Sequence, residues 1–384
     1  MTSRPRAVVI GDMDLVRPLG MAGIRCVAAG PTGEETAWSR HTGGSLQLAD
    51  LWKQPETVIE QLVEYARTID EMPVLMYQKD PALLAISRYR ETLSEHYRFV
   101  VPERATVEDL VDKERFQHRS EELGLAIPRA VFATPSESEP PDLEPPVVVK
   151  PVLRNRTDES WKPVAKGRKA VLCSSKADLE ALWHRPEIRD LPLVVQEYIP
   201  GEAERIVSYH AFIDDDGTVI GWFTGRKIRT APPEFGQSTA VEITDDPDCR
   251  SVGQDVLDRF DFTGVAKVDL KRGPDGRLHV LEVNPRFNLW HHPGARAGVN
   301  LPAAVYHRLV DGKTDVLGEA VPGVRWIQIW GDLGAARSSG VGFGSWVKFA
   351  ANADARRAAH LDDPGSMLGA LVWGTRVRRR KSMM

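Results

Sequence analysis

Short apolar runs separated by turn residues mark out the chain. Residues 7–10 form one run, followed by Gly11-Asp12, a helical spacing of apolar residues over 15–21, Gly23 and a second run over 24–29. Strand, helix and strand in that order predict the opening of a parallel sheet with helices on its faces. Residues 73–77 predict a further strand and 81–93 a helix. A helix entered through Asp112-Lys113 ends at Gly124, and Ile127-Pro128 leads into the next strand. The acidic, Pro-rich stretch 136–146 predicts a surface connection. Three valines in 146–150 predict a buried strand, with Lys150 emerging where it ends.

Two hairpins follow. The first joins 207–213 to 219–224 across Asp214-Asp215-Asp216-Gly217-Thr218, and the second joins 265–270 to 278–283 across Gly273-Pro274-Asp275-Gly276. A two-residue turn centred on Pro274-Asp275 sets Asp269 opposite residue 280, so Asp269, Glu282 and Asn284 share a face with Lys267 beside them. A three-residue loop would break that parity. Two carboxylates and an amide oxygen, without Cys or His, form a hard-oxygen set suited to Mg²⁺. A solvated edge hairpin is the alternative. Arg286 follows, where it could grip an anion beside the metal. In Gly225-Arg226-Lys227-Ile228-Arg229, alternation puts Arg226 and Ile228 on one face and Lys227 and Arg229 on the other.

Composition narrows the classes. The 384 residues suffice for two or three domains, and a net charge of -4 gives no general attraction to nucleic acid or to an anionic membrane. The three cysteines, Cys26, Cys173 and Cys249, stand singly, which argues for a reducing compartment and against zinc or a disulfide frame. No run reaches transmembrane length. A cytoplasmic protein is expected. Neither a dinucleotide fingerprint nor a GxxxxGK[ST] loop occurs. His291 and His292 lack a third soft ligand nearby.

Asn284-Pro285-Arg286-Phe287 directly after the Glu282 strand resembles the metal-binding signature of the ATP-grasp superfamily, and GRKIRTAPPEFGQSTAVE resembles its D-aspartate ligase-like branch. Carbamoyl-phosphate synthase large subunits are more distant relatives. The resemblance covers roughly 105–310. It implies an α/β chain with a parallel-sheet pre-ATP-grasp domain at 1–105, a two-subdomain ATP-grasp fold at 106–312 and a C-terminal extension at 313–384. It implies that Asp269, Glu282 and Asn284 hold the Mg²⁺ of ATP, with Mn²⁺ as a substitute. Lys113 and Lys150 would reach the phosphates, with Lys227 beside them. The backbone of Glu197, Tyr198 and Ile199 would meet the adenine edge. Glu204 would take the ribose, with Glu202 as its near competitor.

The basic stretch 152–169, with Arg154, Arg156, Lys162, Lys166, Arg168 and Lys169, reads as a flap over polyphosphate or as an exposed loop. Arg286 and Arg226 would hold a carboxylate and then its oxyanion. Arg40 and His41 could reach a substrate or be solvated, and residues 290–294 could line an acceptor pocket. The implied reaction joins a small-molecule carboxylate to an amine through an acyl phosphate, releasing ADP and phosphate. A carboxylase acting through carboxyphosphate and a non-catalytic ATP-binding module are the alternatives. Homodimerisation stays open. The tail after 313, with Trp326, Trp330, Trp346, Trp373 and the cluster Arg376, Arg378, Arg379, Arg380 and Lys381, carries no readable motif; its basic end reads as solvated or as touching an anionic surface.

Overall fold

The computed structural model describes residues 4–31, 35–152, 160–166, 168–233, 235–357 and 363–369. Its first sheet is parallel and four-stranded, built from β1 (Ala7–Ile10), β2 (Cys26–Gly30), β3 (Thr42–Gln47) and β4 (Val74–Tyr77) in the order β3-β2-β1-β4. Central β1 is buried along its whole length, as its unbroken apolar run requires. The edge strand β3, Thr-Gly-Gly-Ser-Leu-Gln, has no such run and was not legible in the sequence. The helix expected over 81–93 is two helices, Asp80–Arg88 and Arg90–Ser94, separated at Tyr89.

The second sheet is antiparallel and contains β5 (Ala130–Ala133), β6 (Val147–Pro151), β7 (Val171–Cys173) and β8 (Leu193–Glu197), ordered β5-β8-β6-β7. Helices Trp161–Ala165 and Lys176–Trp183 cover it through Trp161, Leu179 and Trp183.

The third sheet has seven strands in the order β13-β12-β9-β10-β11-β14-β15. They are β9 (Ile206–Ile213), β10 (Val219–Ala231), β11 (Gln237–Thr244), β12 (Gly264–Arg272), β13 (Leu278–Asn284), β14 (Arg325–Ile327) and β15 (Ala355–Arg356). Helix Pro247–Arg259 covers one face through Cys249, Val256 and Leu257. The other face joins the first sheet in one core, where Phe212, Phe223 and Trp290 meet Val9, Leu15 and Leu19. Gly225 makes that packing possible, because a Cβ there would lie 2.4 Å from the Trp290 ring. The segment after 313 is therefore more than an appendage: β14 and β15 extend the large sheet. All three cysteines are free and buried. No helix among the described residues is long and apolar enough to cross a membrane.

Candidate active site

The β12–β13 hairpin reaches its arrangement by a different route from the one the pattern predicts. The loop has three residues, Pro274, Asp275 and Gly276, closed by the Gly273 amide on the Arg277 carbonyl at 2.8 Å, with Gly276 at φ +84°. Alone, the extra residue would turn Glu282 away from Asp269. A bulge restores the parity: pairing steps from Leu270–Val280 to Asp269–Glu282, skipping Leu281. Asp269 thus stands opposite Glu282 rather than residue 280, and Lys267 stands opposite Asn284. The shared face expected for the three oxygen donors is the one found.

That face borders a cavity of about 490 Å³ between the second and third sheets. Asp269 and Glu282 line it from one side, and Lys150 at the end of β6 lines it from the other. Lys113 enters at the start of helix Lys113–Glu122, where the Asp112 carboxylate caps the amides of Glu114 and Arg115 at 2.9 and 3.0 Å. Its ammonium donates to the carbonyls of Pro151 and Val152. Lys150 donates to Gln196 at 3.0 Å. Lys227 also lines the cavity, as do Lys162, Arg168 and Lys169 of the basic stretch. Arg154 and Arg156 lie outside the described residues, as do Trp373 and the basic cluster at 376–381. With Lys271, seven cations against four carboxylates (Glu197, Glu202, Asp269 and Glu282) border the space. That surplus suits a polyanion.

At the other end of the cavity Glu197, Tyr198 and Ile199 lead out of β8, with Val148 and Leu281 as apolar walls. Of the two candidates for the ribose, Glu202 lines the cavity and Glu204 does not. Glu202 precedes the 3-10 turn Ala203–Arg205, which contains Glu204.

Asp269 is 2% exposed and fully engaged. The Ser208 hydroxyl donates to one carboxylate oxygen, and the Lys267 ammonium lies 2.6 Å from the other. Burial, with a contribution from Lys227, holds the Lys267 pKa below the ordinary lysine value despite the pull of Asp269. Asn284 donates to Glu282 at 3.1 Å and accepts from Arg286 at 3.1 Å.

Neither Arg286 nor Arg226 is among the cavity-lining residues. The Arg286 guanidinium pairs with Asp80, at the start of helix Asp80–Arg88, and donates to the Gln78 carbonyl at 3.2 Å. It therefore orients Asn284 and ties the β12–β13 hairpin to the junction between β4 and helix Asp80–Arg88. Arg286→Lys is expected to cost about 1–3 kcal/mol of stability, since one ammonium cannot serve Asp80 and Asn284 together. Calorimetric melting checks this, and a wild-type midpoint would remove the tie.

Arg226 lies on the opposite face of the sheet. It pairs with Val207, whose neighbour Ser208 faces Asp269, and its side chain bonds Glu242 at 2.7 Å. A second bulge, at Ile228, puts Arg229 on the same side as Arg226 rather than with Lys227. There it forms a buried pair with Asp332.

Arg40 and His41 do not line the cavity either: the Arg40 amide donates to Asp363, and the His41 ring covers Gly20. Nor do residues 290–294, which are buried in the core. His291 is 0% exposed and lies edge-on to Phe287, and burial pulls its pKa from 6.5 to about 3. Between those values the unfolded chain takes up a proton that the native state refuses. Stability therefore falls as pH drops from 6.5 toward 3, by about 1.4 kcal/mol per pH unit from this group. Urea unfolding across that window should show a shallower pH dependence for His291→Phe, and an unchanged slope would count against it.

Among the described residues no group of three or more His, Cys, Asp or Glu is placed to hold a metal. Asp269, Glu282 and the Asn284 amide nevertheless form a set that fits Mg²⁺, provided that phosphate oxygens complete its shell.

No family model matches the chain. It is 24% identical to the D-aspartate ligase of Enterococcus faecium (strain Aus0004) over 214 residues, 52% of this chain and 50% of that one. The chain thus spans about half the length of this curated relative. Among solved structures, an L-amino acid ligase from Bacillus licheniformis superimposes with a TM-score of 0.61 at 16% identity, covering 80% of this chain and 75% of that one. Biotin carboxylase from Campylobacter jejuni, solved as a β,γ-ATP complex, gives 0.62 at 11% identity over 81% and 72%. These likenesses show the fold.

Proposed function

We propose that this chain, which has the ATP-grasp fold its motifs implied, is an ATP-dependent, ADP-forming ligase joining a small carboxylate to an amine. The observation that carries the reading is the basic cavity between two sheets in which Lys113 and Lys150 share the lining with Asp269 and Glu282. Val148 and Leu281 would sandwich the base, with the backbone at Glu197–Ile199 along its edge and Glu202 near the ribose. Lys113, Lys150 and Lys227 would neutralise the phosphates. Asp269, Glu282 and Asn284 would hold Mg²⁺. When bound, the ion supplies Lewis-acid stabilisation of the transferring phosphoryl group.

A carboxylate is a poor acyl donor. In the proposed reaction its oxygen attacks the γ-phosphorus and ADP leaves, giving an acyl phosphate. The amine then attacks the acyl carbon and phosphate leaves. The chain's own task is to orient the reactants and exclude water, and no side-chain nucleophile is needed. We assign the nucleotide site to 106–312, preceded by the unit 1–105 and followed by 313–384.

An ADP-release screen against amino acids and small dipeptides, with mass spectrometry of products, tests the reading. A new amide formed in step with ADP is expected. ADP release that depends on bicarbonate alone would instead establish a carboxylase, and nucleotide binding without turnover of any acid would leave a binding module.

A further inference from the structure

We propose that Lys267 is the built-in cation of the carboxylate pair and makes entry of the divalent ion depend on bound nucleotide. The inference rests on the metal site proposed above. Lys267 has no place in that reading: it is neither an oxygen donor nor part of the cavity lining. Yet it is 8% exposed, stands opposite Asn284 in the hairpin register and lies 2.6 Å from Asp269. The Trp290 ring lies 5.8 Å from its ammonium on another side. With Ser208 on the second oxygen of Asp269, both oxygens already have partners.

The charges explain why a metal should not enter alone. Asp269 and Glu282 carry two negative charges, and Lys267 returns one positive charge. A divalent ion added to that set leaves a net positive cluster in a poorly solvated place. Lys227, Lys113 and Lys150 line the same cavity and raise the cost further. A nucleotide triphosphate brings the missing negative charge. It offers oxygens to the metal and an anionic partner to the displaced ammonium. Without Lys267, the two facing carboxylates would keep their neutral donors Ser208 and Asn284 but lose the cation that lies against Asp269, and like charges in that position favour capture of another cation.

The test is titration with Mn²⁺, followed by calorimetry and by the thermal midpoint, with and without a non-hydrolysable ATP analogue. Wild type should bind Mn²⁺ only with the analogue. Lys267→Met should bind it without nucleotide at least about tenfold more tightly than wild type. Adding Asp269→Asn to that variant should abolish the gain. If both proteins bind Mn²⁺ with the analogue, but Lys267→Met gains nothing without it, Lys267 has no such role and the metal site stands. If neither binds Mn²⁺ even with the analogue, the metal site fails and this inference fails with it. Should Lys267→Met not fold, wild type still decides, because equal affinity with and without the analogue overturns the inference.

Discussion

Glu282→Gln is expected to abolish ATP turnover, by a factor on the order of a thousand or more, while leaving the protein at least as stable as wild type. The substitution keeps the shape and the oxygen that accepts from Asn284 but removes one of the two carboxylates of the proposed metal set. If Mg²⁺ binds here, the loss is several kcal/mol of charge stabilisation in the phosphoryl-transfer transition state. Stability should not suffer, because Glu282 is paired directly with Asp269 across the strands and removing one charge relieves repulsion. Coupled ADP assays and melting on one preparation read both quantities. A variant that turns over normally would take the hairpin out of the chemistry. One that melts much earlier would make Glu282 a structural residue.

The largest stability effect is expected at a buried ion pair that does not line the cavity. Asp332, in helix Ile329–Ser338, is 0% exposed and accepts from Arg229 through two nitrogens, at 2.9 and 2.6 Å. The Thr239 hydroxyl and the Trp346 indole also donate to it, at 2.8 and 3.0 Å. Arg229 lies against the Phe349 ring as well. Asp332→Ala leaves that guanidinium buried without a counter-charge and strands two further donors, so a cost of about 3–5 kcal/mol is expected. The double variant Asp332→Leu with Arg229→Met should recover much of it, because two apolar groups leave no uncompensated charge. Chemical unfolding measures both. A loss below about 1 kcal/mol for the single variant would mean that the C-terminal helices are not clamped to the sheet through this pair. ATP affinity per folded molecule should stay unchanged, since none of these residues lines the cavity.

The local order of the chain determined much of this in advance. Runs such as Ala7–Ile10 and Val147–Pro151 have no other good place than a buried strand, and a lysine at the end of the latter must emerge. Four residues that the sequence singled out line one cavity for the same reason. Asp269, Glu282, Lys113 and Lys150 are recognisable by type, order and neighbouring residues, and each is placed by the element that carries it. Strand alternation was right about which side chains share a face wherever the ladder is regular.

What only the tertiary structure decided lies at irregularities and distant contacts. The shared face of Asp269 and Glu282 results from a three-residue loop and a bulge that cancel, and Arg226 and Arg229 share a side because of a bulge at Ile228. A bulge inserts one unpaired residue where packing favours it, and a period-2 pattern does not record it. The role of Arg286 depends on Asp80, 206 positions earlier, and that of Arg229 on Asp332, 103 positions later. His291 is neutral because three segments close over it. Strands β14 and β15 have only three and two residues and the edge strand β3 lacks an apolar run, so all three depend on the strands beside them for their pairing. Residue type and local period settle which groups a segment can offer. Which of them meet is settled by bulges in the ladder and by partners far away in sequence, as Asp80 is for Arg286 and Asp332 for Arg229.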